Sequence, residues 1–249
     1  MDRYMFEVIH SLAESGSENA MKEIVEDIMS QGRCDVTDEQ ADMVLRYLNI
    51  LAEKGDHEAL LSLGALHYTG FGDKVPQDYA QAMKYYEKAA ESSELEDDWA
   101  LNNLGYCYYY GRGGTVDYIK AYSCFALSAM QGNPNAMYKL GDMYHDGHYV
   151  GKDLNASFYW YISARAQESD TDTEYGGFLA ASIALRLGRA FLFGEGVEVE
   201  LVQALFELRT AEALFYDQTL IGDEFSKDQL LITQDLIETA QDELDRRIG

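Results

Sequence analysis

Proline, cysteine and basic side chains are scarce in this 249-residue chain: two prolines, three cysteines, and 19 Lys+Arg against 44 Asp+Glu. With only Pro76 and Pro134, and no Ser-rich stretch, nothing divides the chain as a linker would, so one continuous domain is the expectation. Cys34, Cys107 and Cys124 form no CxxC pair, and an odd number cannot all be joined within one chain, so reduced thiols are expected. No apolar run reaches the ~18 residues of a membrane-spanning helix. The opening MDRYMFEVIHSLAESG places Asp2 and Glu7 where an export signal needs a basic start and an uninterrupted apolar run. These absences together predict a soluble, cytoplasmic protein.

The shortage of basic residues leaves a net charge of −25, which disfavours a grip on nucleic-acid phosphates or anionic lipid. The expected partners therefore include no nucleic acid and no membrane. Acidity is unevenly spread. Residues 1–56 carry 13 acidic against 5 basic side chains and residues 168–249 carry 18 against 6, whereas residues 99–167 carry 4 against 5. An acidic helical surface is usually a matter of solubility, and a basic partner is the other reading. Hydrophobic residues at 47%, with 19 tyrosines, supply enough apolar material for a folded core.

What is abundant is repetition. LGALHYTGFG from Leu63, LGYCYYYGRG from Leu104, LGDMYHDGHY from Leu140 and LGRAFLFGEG from Leu187 align on Gly64, Gly105, Gly141 and Gly188. Their spacings of 41, 36 and 47 residues suit stacked helix pairs with variable loops. A second helix follows each segment, with small and aromatic residues at one-turn intervals. It reads Ala82, Tyr85, Tyr86, Ala89 and Ala90, then Ala121, Cys124, Phe125, Ser128 and Ala129. In the third and fourth copies it reads Ala156, Tyr159, Trp160, Ser163 and Ala164, then Ala204, Leu208 and Ala211, with Glu207 and Glu212 replacing two pattern residues. Residues at such offsets share one helical face and make a buried stripe.

A glycine inside a helix costs about 1 kcal/mol against alanine, so Gly64 and its equivalents point to close helix crossing. Gly70, Gly111, Gly147 and Gly194 stand where the first helix should stop. Asn133-Pro134 reads as a helix start. No alternating β-branched run occurs, and no strands are expected.

The motif A-x-x-x-L-G-x-x-Y-x-x-G-x-G, followed by D-x-x-K-A and a Y-Y/W-Y-x-K-A-A ending, resembles the Sel-one-like repeat of the tetratricopeptide superfamily. Departures are His67 and Phe191 for the first-helix tyrosine, Tyr149 for the second glycine of the third copy, and Ile183 for the leading alanine of the fourth. The resemblance implies an all-α fold, a right-handed α/α superhelix of antiparallel helix pairs. Four repeats are placed at about 57–97, 98–133, 134–176 and 177–216. Degenerate N-terminal helices over 1–56 precede them. A capping helix over 217–249 follows, where Leu230, Ile237 and Leu244 recur every seven residues.

The resemblance further implies a non-enzymatic protein–protein interaction module, an adaptor or scaffold holding a peptide or helix of a partner on a concave face lined by first helices. Positions flanking the pattern glycine supply Trp99, Asn102, Tyr106, Tyr109 and Tyr110 from the second repeat, and Asn135, Tyr138, Asp142, His145 and Asp146 from the third. Tyrosine and tryptophan offer large contact area with a polar end, and asparagine can bond a peptide backbone. A neutral aromatic centre between acidic ends fits a partner with basic flanks. Tyr108, Tyr144 and Tyr159 are expected to pack between helices instead. The alternative function is an acidic immunity-type or inhibitory protein that masks a basic enzyme.

Chemistry has little support. His145-Asp146-Gly147-His148 is the one histidine cluster, at a helix end and without further ligands, so no metal is expected. Cys34 beside Arg33 has no assigned histidine partner. Neither GxxxxGK[ST] nor GxSxG is present. No catalytic residue and no cofactor are predicted, and the oligomeric state stays open.

Overall fold

The computed structural model describes residues 3–30, 36–92, 98–168 and 176–249. Cys34 and Arg33, and the chain over 169–175, lie outside the described residues. The described residues form α-helices and no strand; two isolated bridges join Phe71 to Asp73 and Val75 in one loop.

The chain divides into two compact units, Met1–Cys124 and Phe125–Gly249. The first contains α1 (Arg3–Glu14), α2 (Glu18–Met29), α3 (Asp38–Glu53), α4 (His57–Thr69), α5 (Tyr79–Ser92), α6 (Asp98–Tyr110) and the start of α7 (Tyr118–Met130). The second contains the rest of α7, then α8 (Pro134–Asp146), α9 (Leu154–Glu168), α10 (Gly176–Phe193), α11 (Leu201–Leu220) and α12 (Glu224–Ile248). From α1 to α6 in the first unit, and from α8 to α12 in the second, each helix packs on the next, and α12 also touches α10.

The repeat motif has a local explanation in capping. Asp78, Asp117 and Asp153 each accept, on Oδ1, the backbone N–H three residues on, at 2.9, 3.0 and 3.0 Å, starting α5, α7 and α9. The backbone N–H of each also donates to the carbonyl of the residue three past the pattern glycine: Asp78 to His67, Asp117 to Tyr108, Asp153 to Tyr144. Glu200 repeats this bond to Phe191 at 2.9 Å but gives no side-chain cap. One acidic residue thus satisfies a free amide of the second helix and a free carbonyl of the first, which sets the hairpin's closure. Elsewhere Thr37 and Gln40 form a reciprocal capping box at the start of α3, and Asn133 caps α8 with Pro134 at its first position.

The pattern glycines make room for a ring or branched side chain from the second helix. A Cβ on Gly64 would fall on the Tyr86 ring, and one on Gly141 on the Tyr161 ring; on Gly188 it would meet Leu208 Cγ at 2.7 Å. Tyr161 and Leu208 both lie 20 residues past their glycine. This corrects the register expected for the third second-helix. Its buried stripe is Ser157, Tyr161 and Ala164; of the Ala156, Tyr159, Trp160, Ser163 and Ala164 read from sequence only Ala164 is buried, the stripe starting one residue later, and Tyr159 is 64% exposed rather than packed between helices. Three consecutive aromatics, Tyr159, Trp160 and Tyr161, satisfy the pattern in either register. Only the ring that reaches Gly141 selects one.

The core of the first unit runs through Ile24, Val44, Tyr47, Leu51, Leu63 and Leu66, and that of the second through Leu185, Leu208, Phe215 and Ile237. Each such side chain contributes about 1.5–3 kcal/mol on burial. Leu230 and Leu244 pack beside Ile237, so α12 turns its seven-residue stripe against α10 and α11. Glu207, the departure from pattern in the fourth repeat, is buried and accepts both 2.7 Å contacts of Arg165 Nη1 from α9.

Candidate protein-binding surface

The predicted contact residues of the second repeat lie on α6, in the first unit. Trp99 and Tyr110 are 44% and 47% exposed, Tyr106 and Tyr109 are half-buried, and Asn102 is buried with no hydrogen-bond partner for its Oδ1 among the described residues. Trp99, Tyr106 and Tyr110 sit at offsets of seven and eleven residues, which places them on one helical face. Asn103, half-buried and four residues past Trp99, completes that stripe and was not among the sequence-predicted contacts. The Tyr106 and Tyr110 rings stack at 6.1 Å, and Tyr109 meets Tyr110 edge-on at 4.9 Å. The Arg112 guanidinium lies 5.0 to 5.6 Å from the rings of Tyr110, Tyr68 and Tyr79. Burial lowers the Arg112 pKa from its ordinary value. These contacts order the aromatic surface at little further entropic cost to a partner.

The predicted residues of the third repeat lie on α8, in the second unit. Asn135 and His145 are half-buried, and Asp146 is exposed. Tyr138 and Asp142 are interior side chains, only 8% and 6% exposed. Asp142 sits in a buried polar cluster. It accepts Lys139 Nζ at 3.0 Å, the Tyr161 hydroxyl at 2.9 Å and Arg186 Nε at 3.1 Å. Burial pushes the Asp142 carboxyl up, and the Lys139 and Arg186 charges with their hydrogen bonds overcome this and hold it below its ordinary value. Tyr138 lies between the same two cations, 5.0 Å from Lys139 Nζ and 5.7 Å from the Arg186 guanidinium carbon. The reason these two residues turn inward is that the cluster fills the space beside Gly141 with paired charge, which would be costly to open to a ligand.

His145 is flanked by carboxylates, with Nδ1 2.7 Å from Asp146 Oδ1 and Nε2 3.5 Å from Glu195 Oε2. Among the described residues no group of three or more His, Cys, Asp or Glu is arranged to hold a metal ion. No described helix is long and apolar enough to cross a membrane.

The first unit also holds an open groove of about 440 Å³ that sequence reasoning missed. Its floor is Leu48, Leu51 and Leu66, and Val25 and Met29 of α2 face Ser62 and Ala65 of α4 across it. The available signal was the size of two positions. Ser62 and Ala65 stand at −2 and +1 from the pattern glycine, where later repeats carry Asn103 and Tyr106, Lys139 and Asp142, and Arg186 and Arg189.

Comparison with known proteins agrees with this architecture. A family model described as the Sel1 repeat matches residues 57–93, 100–133, 134–169 and 183–206. Among solved structures, a protective antigen of uropathogenic Escherichia coli, c5321, described as displaying an SLR fold, is 24% identical with a TM-score of 0.58, covering 96% of this chain and 56% of its own. A Sel1 repeat protein from Oxalobacter formigenes is 22% identical with a TM-score of 0.61, covering 78% and 72%. These likenesses show the fold, an all-α superhelix of helix pairs. A curated relative from Arabidopsis thaliana, the ERAD-associated E3 ubiquitin-protein ligase component HRD3B, is 31% identical over 116 residues, which is 46% of this chain but 17% of that protein. With four matched repeats on hairpins closed by the same capping bond, the chain belongs to the Sel1 repeat family.

Proposed function

We propose that this chain is a non-enzymatic protein–protein interaction module, an adaptor that holds a segment of another protein against the first helices of its repeats. The observation that carries the reading is the α6 stripe, where Trp99 and Tyr110 remain about half exposed on the same face as Asn103 and Tyr106. Large aromatic side chains with a polar end, held by their neighbours, are the residue types that dominate binding energy at interfaces. Membership of the Sel1 repeat family supports the same reading, as does a relative named as a component of a larger assembly. A cytoplasmic location is supported by Cys107 and Cys124, which are both free thiols.

The net charge of −25 favours a second reading, an inhibitory protein that masks a basic enzyme. The two differ in salt response: charge-led masking weakens steeply as salt rises, whereas aromatic contact changes less. The test is affinity capture from the native cell with wild type and with Trp99→Ala/Tyr106→Ala, after circular dichroism shows the variant helical. The module reading expects a partner lost on the double substitution and retained in high salt. Undiminished recovery by the variant overturns the α6 surface, and release of the partner by salt alone favours the inhibitor.

A further inference from the structure

We propose that the groove between α2 and α4 binds a basic peptide segment that inserts one Leu- or Met-sized apolar side chain. The inference rests on the interaction-module reading and assigns it a second contact site with a defined partner chemistry. Three observations carry it.

The groove is open because of what the first repeat lacks. At −2 and +1 from the pattern glycine, Ser62 and Ala65 leave a trough, whereas the corresponding residues of the third and fourth repeats include Lys139, Asp142 and Arg186, which occupy their own space as a charged cluster. A volume of about 440 Å³ over an apolar floor is within the size range of ligand pockets, ~300–1,000 Å³.

The walls are apolar yet incompletely covered. Val25, Met29 and Ala65 are half-buried, in contrast to Leu48, Leu51 and Leu66 beneath them, which are 3%, 1% and 1% exposed. A methionine wall adapts its shape to an incoming side chain.

The rim is acidic. Its one cation, Lys22, is held by Asp56 and Glu58 at 2.5 and 3.3 Å. Glu26, one turn along α2 from Lys22, is exposed and makes no ion pair among the described residues. Among the lining residues the carboxylates Glu26, Asp56 and Glu58 stand against Lys22. A peptide with Lys or Arg beside its apolar anchor therefore meets a net negative lining, and an acidic peptide is repelled.

The experiment uses the full chain and fluorescently labelled synthetic peptides: one with a central Leu flanked by Lys and Arg, its Leu→Ala version, and a Glu-flanked version. Binding is followed by anisotropy, and methyl NMR reports Met29. The basic Leu peptide is expected to bind and to shift the Met29 methyl signal. Removing the Leu, or plugging the groove with Ala65→Leu, is expected to weaken it about tenfold, and Glu26→Lys about threefold. The Glu-flanked peptide should not bind. Equal affinity for wild type and a folded Ala65→Leu, insensitivity to the Leu, or no binding by the basic peptide each overturns the proposal. So does a dimer of the chain, seen by light scattering, that Ala65→Leu disperses, because the occupant would then be a second copy. Trp99→Ala/Tyr106→Ala should leave peptide binding unchanged. Loss of a cellular partner in that variant together with no peptide binding would retire the groove and keep the module reading.

Discussion

Arg186 on α10 donates from Nε to Oδ1 of Asp142 on α8 at 3.1 Å, joining the first helices of the third and fourth repeats through a carboxylate that also accepts Lys139 and Tyr161. The lowered Asp142 pKa makes this junction a pH-dependent one. A depressed carboxyl stabilises the fold fully above its unfolded value of about 3.9, and that stability is lost as pH falls through the folded value. Asp142→Asn is expected to cost about 3 kcal/mol near pH 7, because buried Lys139 and half-buried Arg186 lose their charge partner. The gap between wild type and variant should close as pH falls below about 4. Urea unfolding at stepped pH measures it, and a gap that stays constant down to pH ~2 would contradict the assignment.

Gly196 has φ 77°, and a Cβ there would fall on the Leu154 carbonyl of α9. Gly151 has open space around its Cβ position. Gly196→Ala should therefore destabilise by about 3 kcal/mol or more, through both the backbone conformation and the clash, while Gly151→Ala stays within about 1 kcal/mol of wild type. Thermal melts of the two variants side by side provide the check, and equal melting points would count against the packing described.

Burial raises the Cys107 thiol to about 12 and the Cys124 thiol to about 11. Against an ordinary thiol near 8.5, their thiolate fractions at pH 8 fall by two orders of magnitude or more. In a Cys34→Ser background, iodoacetamide should label neither residue appreciably until denaturant is added. Rapid labelling of the native protein, followed by mass spectrometry, would show that these thiols are open.

The all-helical class, the recurrence of helix pairs, and the stops at Gly70, Gly111, Gly147 and Gly194 were legible without coordinates. They rest on local chemistry: helical spacing of apolar residues, carboxylates that cap, and glycines that take positive φ. Tyr149 at φ 66° shows how strongly the turn demands that conformation, since it keeps the backbone of the glycine it replaces.

Which residues face a partner was not local in this sense. Asn102, Tyr138 and Asp142 hold positions in the repeat like those of Trp99 and Tyr106, yet they are buried, because each orientation depends on what neighbouring helices bring to that spot. Arg186 reaches Asp142 across 44 residues of sequence, and Tyr161 rather than Tyr159 seats on Gly141, relations that no single-helix pattern contains. The groove between α2 and α4 is likewise a product of packing, for small residues at Ser62 and Ala65 are a cavity only when α2 stands off from them. Sequence by itself determined the helices and their pairing through short-range backbone chemistry. Tertiary structure decided which side chains remain exposed, because that depends on contacts between residues far apart in the chain.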